Sequence, residues 1–300
     1  MAALEITQAA APARALWREY LELTKPRVVS LMVFTVVVGM LMSSPSWLPW
    51  PAMLFGTLGI TLVAAAAAAI NHLVDRRLDA LMARTRARPL PRGALGSNQV
   101  ALFAFALCAV GMGLLLAYTN LLCALLTFGS LVGYALVYSM YLKHATPQNI
   151  VIGGAAGAAP PLLGWVAITG QVEAGALALF LIIFVWTPPH FWALAIHRRD
   201  DYARAGVPML PVTHGVPFTA TRVLAYAVAL LPISLLPVMV GMSGLPYLAF
   251  VLLLGARFVA LAWRLRQDAR LAMPTFRFSI VYLFGLFAAL LVDHYLPALA

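Results

Sequence analysis

The sequence predicts an all-α integral membrane protein: about nine transmembrane helices in a single bundle, N-terminus inside and C-terminus outside. Three observations predict it. Hydrophobic residues make up 63% of the chain and charged residues 10%, against about 25% charged in a soluble domain, so most of the surface must face lipid. Apolar runs of the roughly 20 residues needed to cross a hydrocarbon core recur along the whole chain. The Lys and Arg residues cluster in alternate connections between those runs, as membrane orientation demands.

Taken in order, the runs are 27–44, 51–70, 98–117, 119–140, 148–168, 174–196, 219–241, 244–263 and 276–296. Pro45, Pro49 and Pro51 close the first and open the second. Thr119-Asn120 makes a short turn before the fourth, and Ser243-Gly244 turns the chain into the eighth. In lipid the backbone must satisfy its own hydrogen bonds, so runs of this length are helices. With the N-terminal side inside, the inner segments hold all 20 Lys and Arg residues, and the outer segments carry only Glu173 and Asp293. The inner connections near 71–97, 197–218 and 264–275 are the long ones, where function tends to sit. Residues 1–22 lack the apolar stretch of a secretory signal and are expected to be a flexible cytoplasmic segment of one transmembrane domain spanning 1–300.

The net charge of +10 does not point to nucleic acid, because its cations follow the membrane topology. Cys108 and Cys123 lie inside apolar runs, with neither disulfide nor metal spacing. The small-residue runs Ala64 to Ala69 and Gly153-Gly154-Ala155-Ala156-Gly157 allow helices to approach closely.

Of ten acidic residues, Asp75, Asp79, Asp200 and Asp201 fall at the two largest inner connections. Asn71, Asp75 and Asp79 are spaced i, i+4, i+8 and share one helical face continuing from the second span. Ionisable groups at that depth mark function. An amide oxygen and two carboxylates are hard ligands suited to Mg²⁺, which also uses substrate phosphate oxygens. The spacing is equally served by a solvated helix end whose aspartates pair with Arg76 or Arg77. Downstream, Arg84, Arg86, Arg88 and Arg92 lie within nine residues. Guanidinium forks grip phosphate bidentately, so carboxylates and arginines together read as a diphosphate clamp. Arg84 and Arg88 are the expected substrate contacts, with Arg86 and Arg92 as membrane anchors.

Asn-x-x-x-Asp-x-x-x-Asp followed by Arg-Thr-x-x-Arg-Pro-Leu resembles the UbiA-type intramembrane prenyltransferases. That resemblance implies nine transmembrane helices, and a prenyl diphosphate held through Mg²⁺ by two aspartate-rich motifs, the first being Asn71, Asp75 and Asp79. Further stretches resemble the branch of that family that farnesylates haem: Leu23-Thr24-Lys25-Pro26-Arg27-Val28; Tyr138 through Lys143 and Asn149 to Ile150; Gly153 to Trp165; Trp186-Thr187-Pro188-Pro189-His190-Phe191-Trp192; Asp200-Asp201-Tyr202; and Gly206 to Val212. The resemblance covers roughly residues 20–215, and the last three spans match only in hydropathy.

That branch implies transfer of a farnesyl group from farnesyl diphosphate to a vinyl group of haem B with addition of water, giving haem O for terminal oxidases. It implies Asp75, Asp79, Lys143, Asp200 and Asp201 as catalytic residues, and Lys25, Arg27, Asn71, Arg84, Arg88, Tyr138, Asn149, His190 and His197 as substrate-binding ones. Here the second motif departs from the family, with adjacent aspartates in place of two spaced four apart. His190, His197 and Asp201 are spaced i, i+7, i+11 and share a face if the helix runs through them; the two imidazoles are candidates to ligate haem iron or position the porphyrin. Tyr134, Tyr138 and Trp186 offer π faces to a carbocation. The setting implied is the lipid bilayer of a cell inner membrane, with a haem-modifying enzyme or an oxidase assembly factor downstream. Two other readings share the first motif or the charges: a prenyltransferase acting on an aromatic quinone precursor, and a transporter of an amphipathic anion.

Overall fold

A computed structural model describes residues 15–43, 49–82 and 85–295, and among them every regular element is a helix. In chain order the main helices are α1 (Leu16–Leu23), α2 (Pro26–Met42), α3 (Trp50–Leu81), α4 (Ser97–Tyr118), α5 (Leu121–Val132), α6 (Asn149–Thr169), α7 (Ala174–His197), α8 (Arg199–Arg204), α9 (Gly215–Ser234), α10 (Leu245–Leu265) and α11 (Ala272–Tyr295). Eight helical stretches among the described residues are long and apolar enough to cross a membrane, and α1 with α2, bent by 52°, brings the number to nine.

Local chemistry sets the ends. Pro26 occupies the first turn of α2, where its missing N–H costs nothing. The Asn120 side chain accepts from Cys123 N at 2.8 Å and so caps α5. It also donates to Val166 O at 2.7 Å, tying α5 to α6. Gly170, at φ 71°, ends α6 in a left-handed cap.

Two boundaries differ from the sequence expectation. Residues 16–22, expected to be flexible, belong to α1. Tyr20 and Leu23 pack with Leu90, Leu95 and Phe103, and Glu19 is buried in an ion pair with Arg92. Leu16, Tyr20 and Leu23 form an i, i+4, i+7 stripe too short to register as an apolar run. The second difference is α3, expected to stop at residue 70 but continuing unbroken to Leu81. Its 32 residues span about 48 Å, well beyond a hydrocarbon core of about 30 Å. Trp50 is 65% exposed at its start, as interfacial tryptophans are. About 20 residues further on, the core ends, and the Asn71–Asp79 stripe begins there.

Backbone meets backbone where the small residues lie. A Cβ on Gly39 would sit 2.0 Å from Pro161 O, and one on Gly164 would sit 2.1 Å from Val36 O, so α2 and α6 touch through two bare glycines. Gly59 and Gly111 do the same for α3 and α4. The largest buried cluster surrounds α7 and includes Trp192, Tyr247, Phe258, Tyr282 and Phe287, while Leu102, Phe105 and Leu253 on α4 and α10 face outward.

Candidate active site

The extension of α3 carries Asn71, Asp75 and Asp79, all buried. Unpaired carboxylates cannot persist in such a place, and each finds a cation. Lys143 Nζ lies 2.7 Å from Asp75 Oδ2, and Arg88 Nη1 lies 2.7 Å from Asp79 Oδ2. Asn71 joins the set: its Nδ2 donates to Asp75 Oδ2 and to Ser139 Oγ, each at 2.9 Å, and its Oδ1 accepts from Lys25 Nζ. Three cations thus face two carboxylates, leaving a positive balance for an anion. The alternative pairing with Arg76 or Arg77 is not what forms; both are exposed, and Arg76 donates to Ser97 Oγ at 2.8 Å.

Each cation is delivered by a local device. Lys25 links α1 to α2 at φ 50°, ψ 58°, a left-handed conformation uncommon outside glycine and enriched at functional sites. Arg88 lies in a loop closed by Thr85, whose buried hydroxyl donates to Asp79 O at 3.0 Å. Lys143 follows a π-helical stretch, Gly133–Leu142, that continues α5, the helix type that gathers at functional sites. Within it Ser139 Oγ donates to Tyr134 O at 2.9 Å, and the Tyr134 and Tyr138 rings stack with centroids 5.7 Å apart. A Cβ on Gly153 would lie 2.2 Å from the Tyr138 ring, so the bare glycine seats it. Tyr138 is within electrostatic reach of Asp75, Tyr134 and Tyr202.

Other expected residues stand apart. Arg84 lies outside the described residues. Arg27 is exposed on the first turn of α2. Asn149 is fully buried at the start of α6, donating to Thr146 O at 2.8 Å. His190 is buried between the rings of Trp186 and Phe276, centroids 4.2 and 4.5 Å away, with Nδ1 2.7 Å from Ser279 Oγ. The shared face proposed for His190, His197 and Asp201 does not form. α7 ends at His197, and Arg198 turns the chain at φ −107°, ψ 19° before α8 begins. His197 and Asp200 are exposed there, and Asp201 pairs with Arg204 and, at 3.6 Å, with Arg198. What α8 brings toward the first motif is Tyr202, which like Asp75 lies within electrostatic reach of Tyr138. Arg92, expected as a membrane anchor, is instead the partner of Glu19. Ser139, Thr85 and Glu19 were given no role in the sequence reading; Thr85 lies inside the Arg-Thr-x-x-Arg-Pro-Leu motif, Ser139 inside the Tyr138 stretch, and Glu19 is an acid in an otherwise apolar stripe.

The described residues hold no group of three or more His, Cys, Asp or Glu placed to bind a metal. A divalent cation would rest on the α3 stripe and on substrate oxygens. One observation fits it: Asp75 Oδ1 is buried and without a hydrogen-bond partner, a hard oxygen left over after Lys143 and Asn71 have taken Oδ2.

A carboxylate stripe ringed by cations at the end of an apolar bundle is the architecture of a prenyltransferase that works inside the membrane. The chain belongs to the UbiA prenyltransferase family, which matches residues 32–291. It is 60% identical over 286 residues, 95% of this chain and 96% of its relative, to the protoheme IX farnesyltransferase of Azotobacter vinelandii. A relative of the same name from Alkalilimnicola ehrlichii is 62% identical over 94% of both chains. Among solved structures, a UbiA homolog from Archaeoglobus fulgidus bound to DMAPP and Mg²⁺ shares the fold, with a TM-score of 0.60 at 17% identity over 91% of this chain and 99% of that one.

Proposed function

We propose that this chain transfers the farnesyl group of farnesyl diphosphate to a vinyl group of haem B, with addition of water, to give haem O. The observation that carries the reading is the buried Asn71–Asp75–Asp79 stripe with Lys25, Lys143 and Arg88 closed upon it, in a chain so similar to protoheme IX farnesyltransferases over almost its whole length.

The residues divide the work by charge. Lys143 and Arg88 neutralise the carboxylates until the substrate arrives. They then turn to the diphosphate oxygens, and Arg88 grips them as a fork. Mg²⁺ bound at Asp75 and Asp79 would supply Lewis-acid stabilisation of the leaving diphosphate. Lys25, Lys143 and Arg88 stabilise the charge that grows on that group as the allylic C–O bond breaks. Tyr134 and Tyr138 offer ring faces to the farnesyl cation, and the surrounding apolar helices keep out water that would quench it. The vinyl carbon then forms a C–C bond with farnesyl C1. Water adds to the remaining porphyrin-side cation and loses a proton, leaving a hydroxyethylfarnesyl group. Asn149 and His190 are proposed on the haem side, and Asp200 and Asp201 as a second contact to the diphosphate. The proposed setting is an inner membrane with the site facing the cytoplasm and a haem-modifying enzyme or oxidase assembly factor taking the product.

Asp75→Asn and Asp79→Asn should each abolish transfer while the protein still accumulates folded in the membrane. Purified variants given farnesyl diphosphate, Mg²⁺ and haem test this. Full activity of both would remove the proposed role of the stripe. Replacing haem by 4-hydroxybenzoate in the wild-type assay tests the quinone-precursor reading, which predicts product in that arm.

A further inference from the structure

We infer that His72 is a substrate-binding residue, donating a hydrogen bond to a non-bridging oxygen of the diphosphate; the inference rests on the diphosphate reading above. Position 72 follows Asn71 in the first motif, and its side chain has no role in the clamp described so far. At about 100° per residue, Asn71, Asp75 and Asp79 span a sector of about 80° on α3, and His72 falls just beside it. His72, Asp75 and Asp79 are spaced i, i+3, i+7 and so share a face.

The side chain is 2% exposed and lies within electrostatic reach of both Lys25 and Arg88, which contact Asn71 and Asp79 at the two ends of the stripe. Neither Nδ1 nor Nε2 has a hydrogen-bond partner. A buried polar group left unsatisfied is costly, and such groups call for a ligand or a water. The nearby acceptors are already engaged: Asp75 Oδ2 by Lys143 and Asn71, Asp79 Oδ2 by Arg88, Asn71 Oδ1 by Lys25. The remaining orphan on this face is Asp75 Oδ1, an acceptor one turn away. A cation-bound diphosphate satisfies both orphans together, offering a cation to the carboxylate oxygen and an anionic oxygen to the imidazole. In every protonation state the ring has at least one N–H to give, so the role needs no proton transfer. Mg²⁺ prefers oxygen ligands, which leaves the ring to the phosphate.

The test is binding of inorganic pyrophosphate with Mg²⁺ to the purified full-length protein, by titration calorimetry, together with the KM for farnesyl diphosphate. His72→Phe should weaken pyrophosphate binding about tenfold, as loss of a hydrogen bond to a charged group does, and raise KM in proportion. His72→Asn, which keeps an N–H, should recover most of that loss, and the KM for haem should not move. If His72→Phe does not fold, His72→Met is read in its place. Unchanged pyrophosphate binding in the donor-less variant overturns the inference, as does an Asn variant as weak as the Phe one, because packing alone would then explain both. A wild-type protein that binds no pyrophosphate would sink the functional reading itself, which keeps the two failures apart.

Discussion

Lys143 is the residue on which the carboxylate stripe depends most. Its side chain is 14% exposed and that of Asp75 5%, so the pair is nearly out of water. Removing one partner of a buried pair leaves the other charge uncompensated, at a cost of about 3–5 kcal/mol. Lys143→Met should therefore lower the thermal midpoint of the detergent-solubilised protein and abolish measurable transfer. The double variant Lys143→Met/Asp75→Asn should regain most of the lost stability but none of the activity. A single variant as stable as wild type would mean that Asp75 is compensated by something else. At this scale the sequence was half legible. The i, i+4, i+8 spacing showed which three side chains share a face. It could not show their partners, because Lys143 and Lys25 lie 68 and 46 residues away from the groups they meet. Only Arg88, nine residues from Asp79, was within local reach.

Among the elements, α1 and the 85–95 loop behave as one piece. Leu23, Leu90 and Leu95 share a buried cluster, and Glu19 and Arg92 join the two covalently distant segments. That piece sets Lys25 at the Asn71 end of the stripe and Arg88 at the Asp79 end. Glu19→Arg or Arg92→Glu alone should raise the KM for farnesyl diphosphate about tenfold, the effect of misplacing a charged contact. The exchanged pair, Glu19→Arg with Arg92→Glu, should bring it back. A double variant no better than the worse single one would show that the ion pair does not position the loop. The spans were readable because hydrophobicity over about 20 residues is a strong signal. α1 was not, since an eight-residue amphipathic helix gains its order from tertiary packing. The break between α7 and α8 was hidden too: nothing in His197-Arg198-Arg199 interrupts a helix by propensity.

For the whole molecule, the distribution of cations predicts its orientation. In a chain whose Cys108 and Cys123 are replaced by alanine, a cysteine at exposed Ala87 should react with a membrane-impermeant maleimide only after the membrane is opened. One at exposed Gln171 should react while the membrane is still sealed. The reverse pattern would place the carboxylate stripe on the outer side. Most of the architecture was legible at this scale, because lipid leaves the backbone few choices.

The length of α3 has a consequence for the direction of the chemistry. Because that helix is longer than a hydrocarbon core and carries its aspartates near its far end, cleavage in the proposed reaction falls at a phase boundary. The isoprenoid half of the split molecule is left in oil, attached to a porphyrin, while the inorganic half is released into water. The two products have no common solvent in which to meet again, so their partition resists reversal without any further device in the protein.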